Sequence, residues 1–182
     1  MASNDVRLRA AAIETRLAVE NLSKTSDTVT RLIHEAESDH AIRRRNAFLL
    51  GCLANRDVQA DRIREWLLTW RYEADDAGCL GTVEGLALVG SDETLDDLKQ
   101  IIQQDLSSDV RSAAIHAIAR TGMFTEQQRR RTLPSLIELA EAAIDENTRK
   151  ALFEALREIT AQSIGDDAAA WREWYTAHAG SS

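Results

Sequence analysis

The residues able to do chemistry are few, and their spacing supplies no reaction. Histidines stand at 34, 40, 116 and 178, and cysteines at 52 and 79. Only His34 with Glu35 sets two metal-binding groups side by side, which is too few ligands for a closed or an open metal site. No ordered Ser, His and Asp set stands out, and neither thiol has a recognisable base partner that would hold it as the thiolate. Gly78, Gly81, Gly85 and Gly90 are not a phosphate cradle, because no strand precedes them and no Lys-Ser or Lys-Thr follows. Close helix packing or a loosened helix start accounts for them. No catalytic residue, metal ligand or cofactor-binding residue is therefore predicted.

Two arginine triplets, Arg43-Arg44-Arg45 and Arg129-Arg130-Arg131, are the groups that could grip phosphate. Solvated surface is the plainest reading, with an acidic protein partner and nucleic acid as alternatives. Lys plus Arg is 22 against 30 for Asp plus Glu, a formal net charge of -8. That balance repels phosphate backbones and anionic membranes, so nucleic acid is disfavoured.

The elements that would position any site are helical. One proline, eight glycines and 5% aromatics among abundant Ala, Leu, Glu and Arg describe good helix formers with almost no strand signal. The opening "MASNDVRLRAAAIETR" carries charges where a secretory leader needs an apolar core, and no run approaches membrane-spanning length. The two cysteines form no disulfide framework. A cytoplasmic protein without a membrane span is the expectation.

One helical pattern recurs. "VRSAAIHAIARTG" from Val110 aligns with "VRLRAAAIETRLA" from Val6, "IRRRNAFLLGCLA" from Ile42, "GCLGTVEGLALVG" from Gly78 and "TRKALFEALREIT" from Thr148, at spacings of 36, 36, 32 and 38 residues. Its sixth, ninth and twelfth positions share one helix face and are apolar apart from Glu14 and Thr121. Small residues at the fifth and eighth positions, among them Ala10, Gly85, Ala114, Ala117 and Ala155, let neighbouring helices approach. Arginine holds the second position in all copies but one, where Cys79 stands. The intervals supply a first helix for each later copy, over 26–37, 57–75, 92–104 and 132–143. Trp66 and Trp70 fall on one of these and are expected to pack, with Arg64, Glu65 and Arg71 on its wet side. A Thr125 to Gln128 capping box opens a polar extra ahead of Pro134.

This pattern, with Asp5, Asp109 or Asn147 before the helix and Gly90 or Gly122 closing it, resembles the second helix of HEAT-like repeats over residues 4 to 160. The periods match the short-period bacterial type. The resemblance implies an all-α, right-handed superhelix of about four helix pairs, one domain over 1–182, with a half repeat at the N-terminus. A terminal helix over 166–178 brings Trp171 and Trp174 to cover the open end. Di-iron hydroxylases built on such repeats need several His-Glu pairs, so their activity is not carried over.

In HEAT-like stacks the second helices line the concave side, and their third, seventh and eleventh positions face a partner. The seventh reads Ala12, Phe48, Glu84, His116 and Glu154; the eleventh Arg16, Cys52, Leu88, Arg120 and Glu158; the third Leu8, Arg44, Leu80, Ser112 and Lys150. Phe48, Leu80 and Leu88 form an apolar centre, with Arg44, His116 and Arg120 as polar rim. Either these residues bind a partner or they fill the inner wall of a tightly curved superhelix. The function this implies is a non-catalytic scaffold or adaptor that takes a protein or peptide segment. A phycobilin lyase-type chromophore protein and a nucleic-acid-binding module are the alternatives.

Overall fold

Each predicted amphipathic run forms a helix, and short capped turns separate them. The computed structural model describes residues 6–71, 76–143 and 145–178. Asp5 and the end of the helix predicted over 57–75 lie outside the described residues. Among the described residues there are eleven α-helices and no strand. They are α1 (Val6–Val19), α2 (Ser26–Ser38), α3 (His40–Ala54), α4 (Ala60–Thr69), α5 (Asp76–Val89) and α6 (Asp92–Gln104), then α7 (Ser108–His116), α8 (Glu126–Arg131), α9 (Leu133–Ala142), α10 (Glu146–Thr160) and α11 (Ala168–His178). A π-helical turn, Ala117–Thr121, extends α7.

The helices pair as α2 with α3, α4 with α5, α6 with α7 and α9 with α10. The second members α3, α5, α7 and α10 stack side by side in parallel. Arg44 near the start of α3 meets Glu84 of α5, whereas Asn55 just past its end donates to the Leu88 carbonyl at 2.9 Å. Arg111 near the start of α7 reaches Asp145 and Thr148, and Arg120 near its end pairs with Glu158. Helices α5 and α7 pack together, with Met123 just past the end of the α7 turn donating to the Ala87 carbonyl near the end of α5 at 2.7 Å, so the segments from Ile42, Val110 and Thr148 lie in one parallel register. An all-α solenoid is the architecture.

Burial follows the sixth, ninth and twelfth positions in α3 (Ala47, Leu50, Leu53), in α10 (Phe153, Leu156, Ile159) and over most of α5 and α7. Thr121 is exposed and Val89 half-buried. Helix α1 departs from the pattern, because Ala11 and Glu14 are exposed while Arg9, Ile13 and Leu17 are buried. The reason is direction. Glu20 at the end of α1 pairs with Arg45 near the start of α3, and the Ala10 carbonyl accepts from Arg56, beyond the end of α3, at 2.7 Å. Helix α1 therefore lies as a single helix antiparallel to α3 and reaches on through Arg9 to the Gly122 carbonyl beyond α7, and its buried face is set by that reversed packing.

Capping side chains explain where helices start. Thr25, Asp39, Ser91, Ser107 and Asp145 each accept an N–H from the first turn that follows. The predicted caps Asp109 and Asn147 instead lie inside the first turn, because the helices begin two residues earlier at the more extended Ser107 and Asp145. Thr125 and Gln128 form the expected reciprocal capping box, and Pro134 occupies the first turn of α9.

Glycine decides how closely α3 and α5 meet. A Cβ on Gly51 would lie 2.6 Å from the Gly85 carbonyl oxygen, and one on Gly85 would lie 2.7 Å from Leu67. These two helices touch backbone to backbone. Gly90 ends α5 at φ +73 with Met123 packed on it, a conformation and a contact that both exclude a side chain.

Aromatic residues seal the flanks. Trp66 and Trp70 meet edge to face at 6.0 Å, and the Trp66 indole donates to Glu37 of the preceding repeat at 3.1 Å. Arg71 is buried rather than wet, bonded to Gln100 and Gln104 of α6. Arg64 makes two bonds to Asp97, at 2.6 and 2.8 Å. At the C-terminal end Trp171 is fully buried under α11, its indole N–H on the Gly165 carbonyl at 3.0 Å and Trp174 edge-on at 5.8 Å.

Two measurements check this packing. Gly51→Ala should lower stability by about 1–3 kcal/mol in urea unfolding, because the overlap with backbone outweighs the roughly 1 kcal/mol by which alanine favours a helix. Gly165→Ala, with nothing within 4 Å, should leave the midpoint unchanged. Asp145 is held down to about 2 by its bonds from Thr148 and then by Arg111. Its folded value lies below the ordinary 3.8, so its stabilisation is complete above that value and disappears as pH falls toward 2. Asp145→Asn should therefore flatten the loss of stability over that window, read as urea midpoint against pH.

Candidate functional site

The parallel second helices enclose a groove at the middle of the stack. Phe48 from α3, Leu80, Glu84 and Leu88 from α5, and His116 from α7 line a cavity of about 360 Å³. Ala87, Ala113 and Ala117 form its floor, and their small side chains are what keeps it open. The structure therefore brings together four of the six residues predicted from the ribbon, Phe48, Leu80, Leu88 and His116. Phe48, Leu80 and His116 are half-buried, whereas Leu88 is only 6% exposed and belongs as much to the core as to the groove. Cys52, predicted on the same ribbon one turn beyond Phe48, is fully buried. Burial pushes its thiol up to about 12 in spite of the nearby Arg16 and Arg56, so it is an inert packing group.

Arg44 and Arg120 are exposed but do not line the cavity. Arg44 chelates Glu84 through Nε at 3.1 Å and Nη2 at 2.5 Å, which holds the guanidinium above its ordinary value. Arg120 is paired with Glu158. Each pair joins neighbouring second helices, so the charges beside the groove, that of Glu84 on its lining included, neutralise one another, and Phe48, Leu80 and Leu88 supply its apolar wall. Arg16 of α1 lies over the Phe48 ring at 5.7 Å, which adds a cation to the α3 wall.

Both arginine triplets are dispersed by the helices that carry them. Arg43 is buried on the Trp70 ring at 3.7 Å, Arg44 holds Glu84, and Arg45 holds Glu20. Arg129 is buried, Arg130 pairs with Glu126 at 3.0 Å, and Arg131 reaches Asp92 at 3.4 Å. Successive residues of a helix point about 100° apart, so neither triplet presents a single cationic face.

Arg129 has a role that its neighbours in sequence conceal. It donates to the carbonyls of Ala119, Arg120, Gly122 and Phe124, the free oxygens that the π-helical turn leaves at the end of α7. Burial, and then the charge of Arg9, lowers it to about 10. Arg9 of α1 donates to the same Gly122 carbonyl. Composition signals neither group; the clue lies in Gly122, where a Cβ would stand 2.5 Å from Phe124 and 2.7 Å from the Ala117 oxygen.

A larger opening of about 750 Å³ lies where α8 meets the C-terminal helix, beside Trp174, Tyr175 and His178. Its guanidiniums, Arg130 and Arg131, are the paired ones above. Among the described residues no three His, Cys, Asp or Glu side chains gather where they could hold a metal ion, and no helix is long and apolar enough to cross a membrane.

The family model for HEAT repeats matches residues 63–157, just over half of the 182 residues. No curated protein and no solved structure matches the chain. HEAT repeats generally serve as protein-interaction scaffolds and are typically non-catalytic. The match spans the second to the fourth helix pair, whose second helices carry most of the groove, and the chain belongs to the HEAT-repeat family.

Proposed function

We propose that the chain is a non-catalytic scaffold that holds a peptide or protein segment in the groove between its second helices. One aromatic or aliphatic side chain of the partner enters between Phe48, Leu80 and Leu88, and Arg44, His116 and Arg120 form the polar surroundings. The cavity itself carries this reading: an apolar wall of Phe48, Leu80 and Leu88 and an alanine floor, at the centre of a stack whose adjacent charges are already paired. Its volume sits at the small end of the roughly 300–1,000 Å³ of ligand pockets, which suits a single anchor rather than a whole small molecule. With no unpaired charge demanded of the partner, the anchor supplies affinity and the rim supplies register.

Random linear peptides displayed on phage provide the probe. Selected sequences should share one large apolar residue. Phe48→Asp and Leu80→Asp should each weaken the selected peptides by at least about tenfold, while Glu65→Lys on the outer α4 leaves them unchanged. Affinities unaltered in both aspartate variants, with helical circular dichroism intact, would rule the groove out.

A further inference from the structure

Helix α1 has footholds on two sides of the groove. Its Arg16 covers Phe48 on the α3 wall, and its Arg9 bonds the Gly122 carbonyl, next to Thr121 at the α7 end. Its grip on the stack differs in kind from that of the other helices. Beyond Arg9, the fully buried side chains it contributes among the residues whose burial is described are Ile13 and Leu17, whereas α10 buries six apolar ones, from Ala151 to Ile159. Leu8 and Val19 remain 60% and 75% exposed. Arg56 donates to the Ala10 carbonyl, and ion pairs join Arg45 with Glu20 and Arg56 with Glu14. Ion pairs of that sort are weak and are screened by salt.

The contact at Gly122 is also electrostatically loaded. Arg9 and Arg129 direct two guanidinium cations at one carbonyl oxygen in a site that burial has stripped of water. Lifting α1 rehydrates Arg9 and removes its repulsion of Arg129, which keeps its remaining three carbonyls. Apart from Ile13 and Leu17, the buried apolar core of the described residues comes from outside α1.

We propose that α1 is a displaceable strap: it leaves α3 as a unit while the four-pair stack stays folded, and so uncovers the Phe48 wall to a partner. Regulation of the groove by this strap rests on the binding reading above, whereas movement of α1 does not. Segments with few buried apolar contacts open locally at lower cost than the whole domain, and such opening exposes far less surface than unfolding.

Cys52, fully buried and within reach of the Arg16 charge, reports the opening. In a Cys79→Ser background, the thiol reagent DTNB should modify Cys52 under native conditions at a rate that depends weakly on urea. Arg9→Ala, and separately Glu14→Gln with Glu20→Gln, should each accelerate this by at least about tenfold, with the far-ultraviolet unfolding midpoint little changed. Modification that in every variant follows the steep urea dependence of global unfolding would overturn the strap. Peptide capture that needs Phe48, combined with an immobile α1, would retain the groove and discard the strap. A mobile α1 on a chain that captures no peptide would do the reverse.

Discussion

Contact between the backbones of α3 and α5 at Gly51 and Gly85 sets the geometry of everything around it. With no Cβ in the way, the two helices settle a repeat apart in parallel, and Gly81 continues the close approach, because a Cβ there would lie 3.1 Å from the Arg44 Cα. Parallel register then fixes which side chains can meet across repeats. Arg44 finds Glu84, Arg111 finds Asp145, and Arg120 finds Glu158, each about one repeat away in sequence. The groove is a product of the same spacing, because alanines occupy the inner face where larger residues would force the helices apart.

Much of this architecture was legible from the recurring helix. Apolar residues three apart, small residues between them and a preceding amphipathic run are consequences of burying one face against the next repeat, so they survive wherever that burial occurs. Direction is another matter. Arg9, Ile13 and Leu17 follow the same helical periodicity whether α1 runs with the stack or against it, and only the partners of Glu20 and Ala10 distinguish the two. Cap positions slipped by two residues because Asp109 and Asn147 suit a first turn as well as a cap.

Charged residues were the least readable. An arginine satisfied by backbone carbonyls, as Arg129 is, and one laid on an indole, as Arg43 is, look in sequence like arginines in water. Their long stems and planar heads let them enter a core that would exclude a carboxylate. The apparent basic runs are in this sense structural, with each guanidinium assigned to a different neighbour. Phe48, Leu80 and His116 were legible as a cluster because helical period alone places them on one ribbon, yet Cys52 and Leu88, on the same ribbon, are buried, which no periodicity encodes.

The two ends of the array are unlike each other and unlike its interior. Trp171 plugs one terminus, and toward the other a counter-running helix lies on α3 and reaches across to Gly122. Identical, uncovered termini would let molecules join head to tail without limit, the route by which heterologous contacts grow filaments. The dissimilar extremities of this array offer one another no such matching edge.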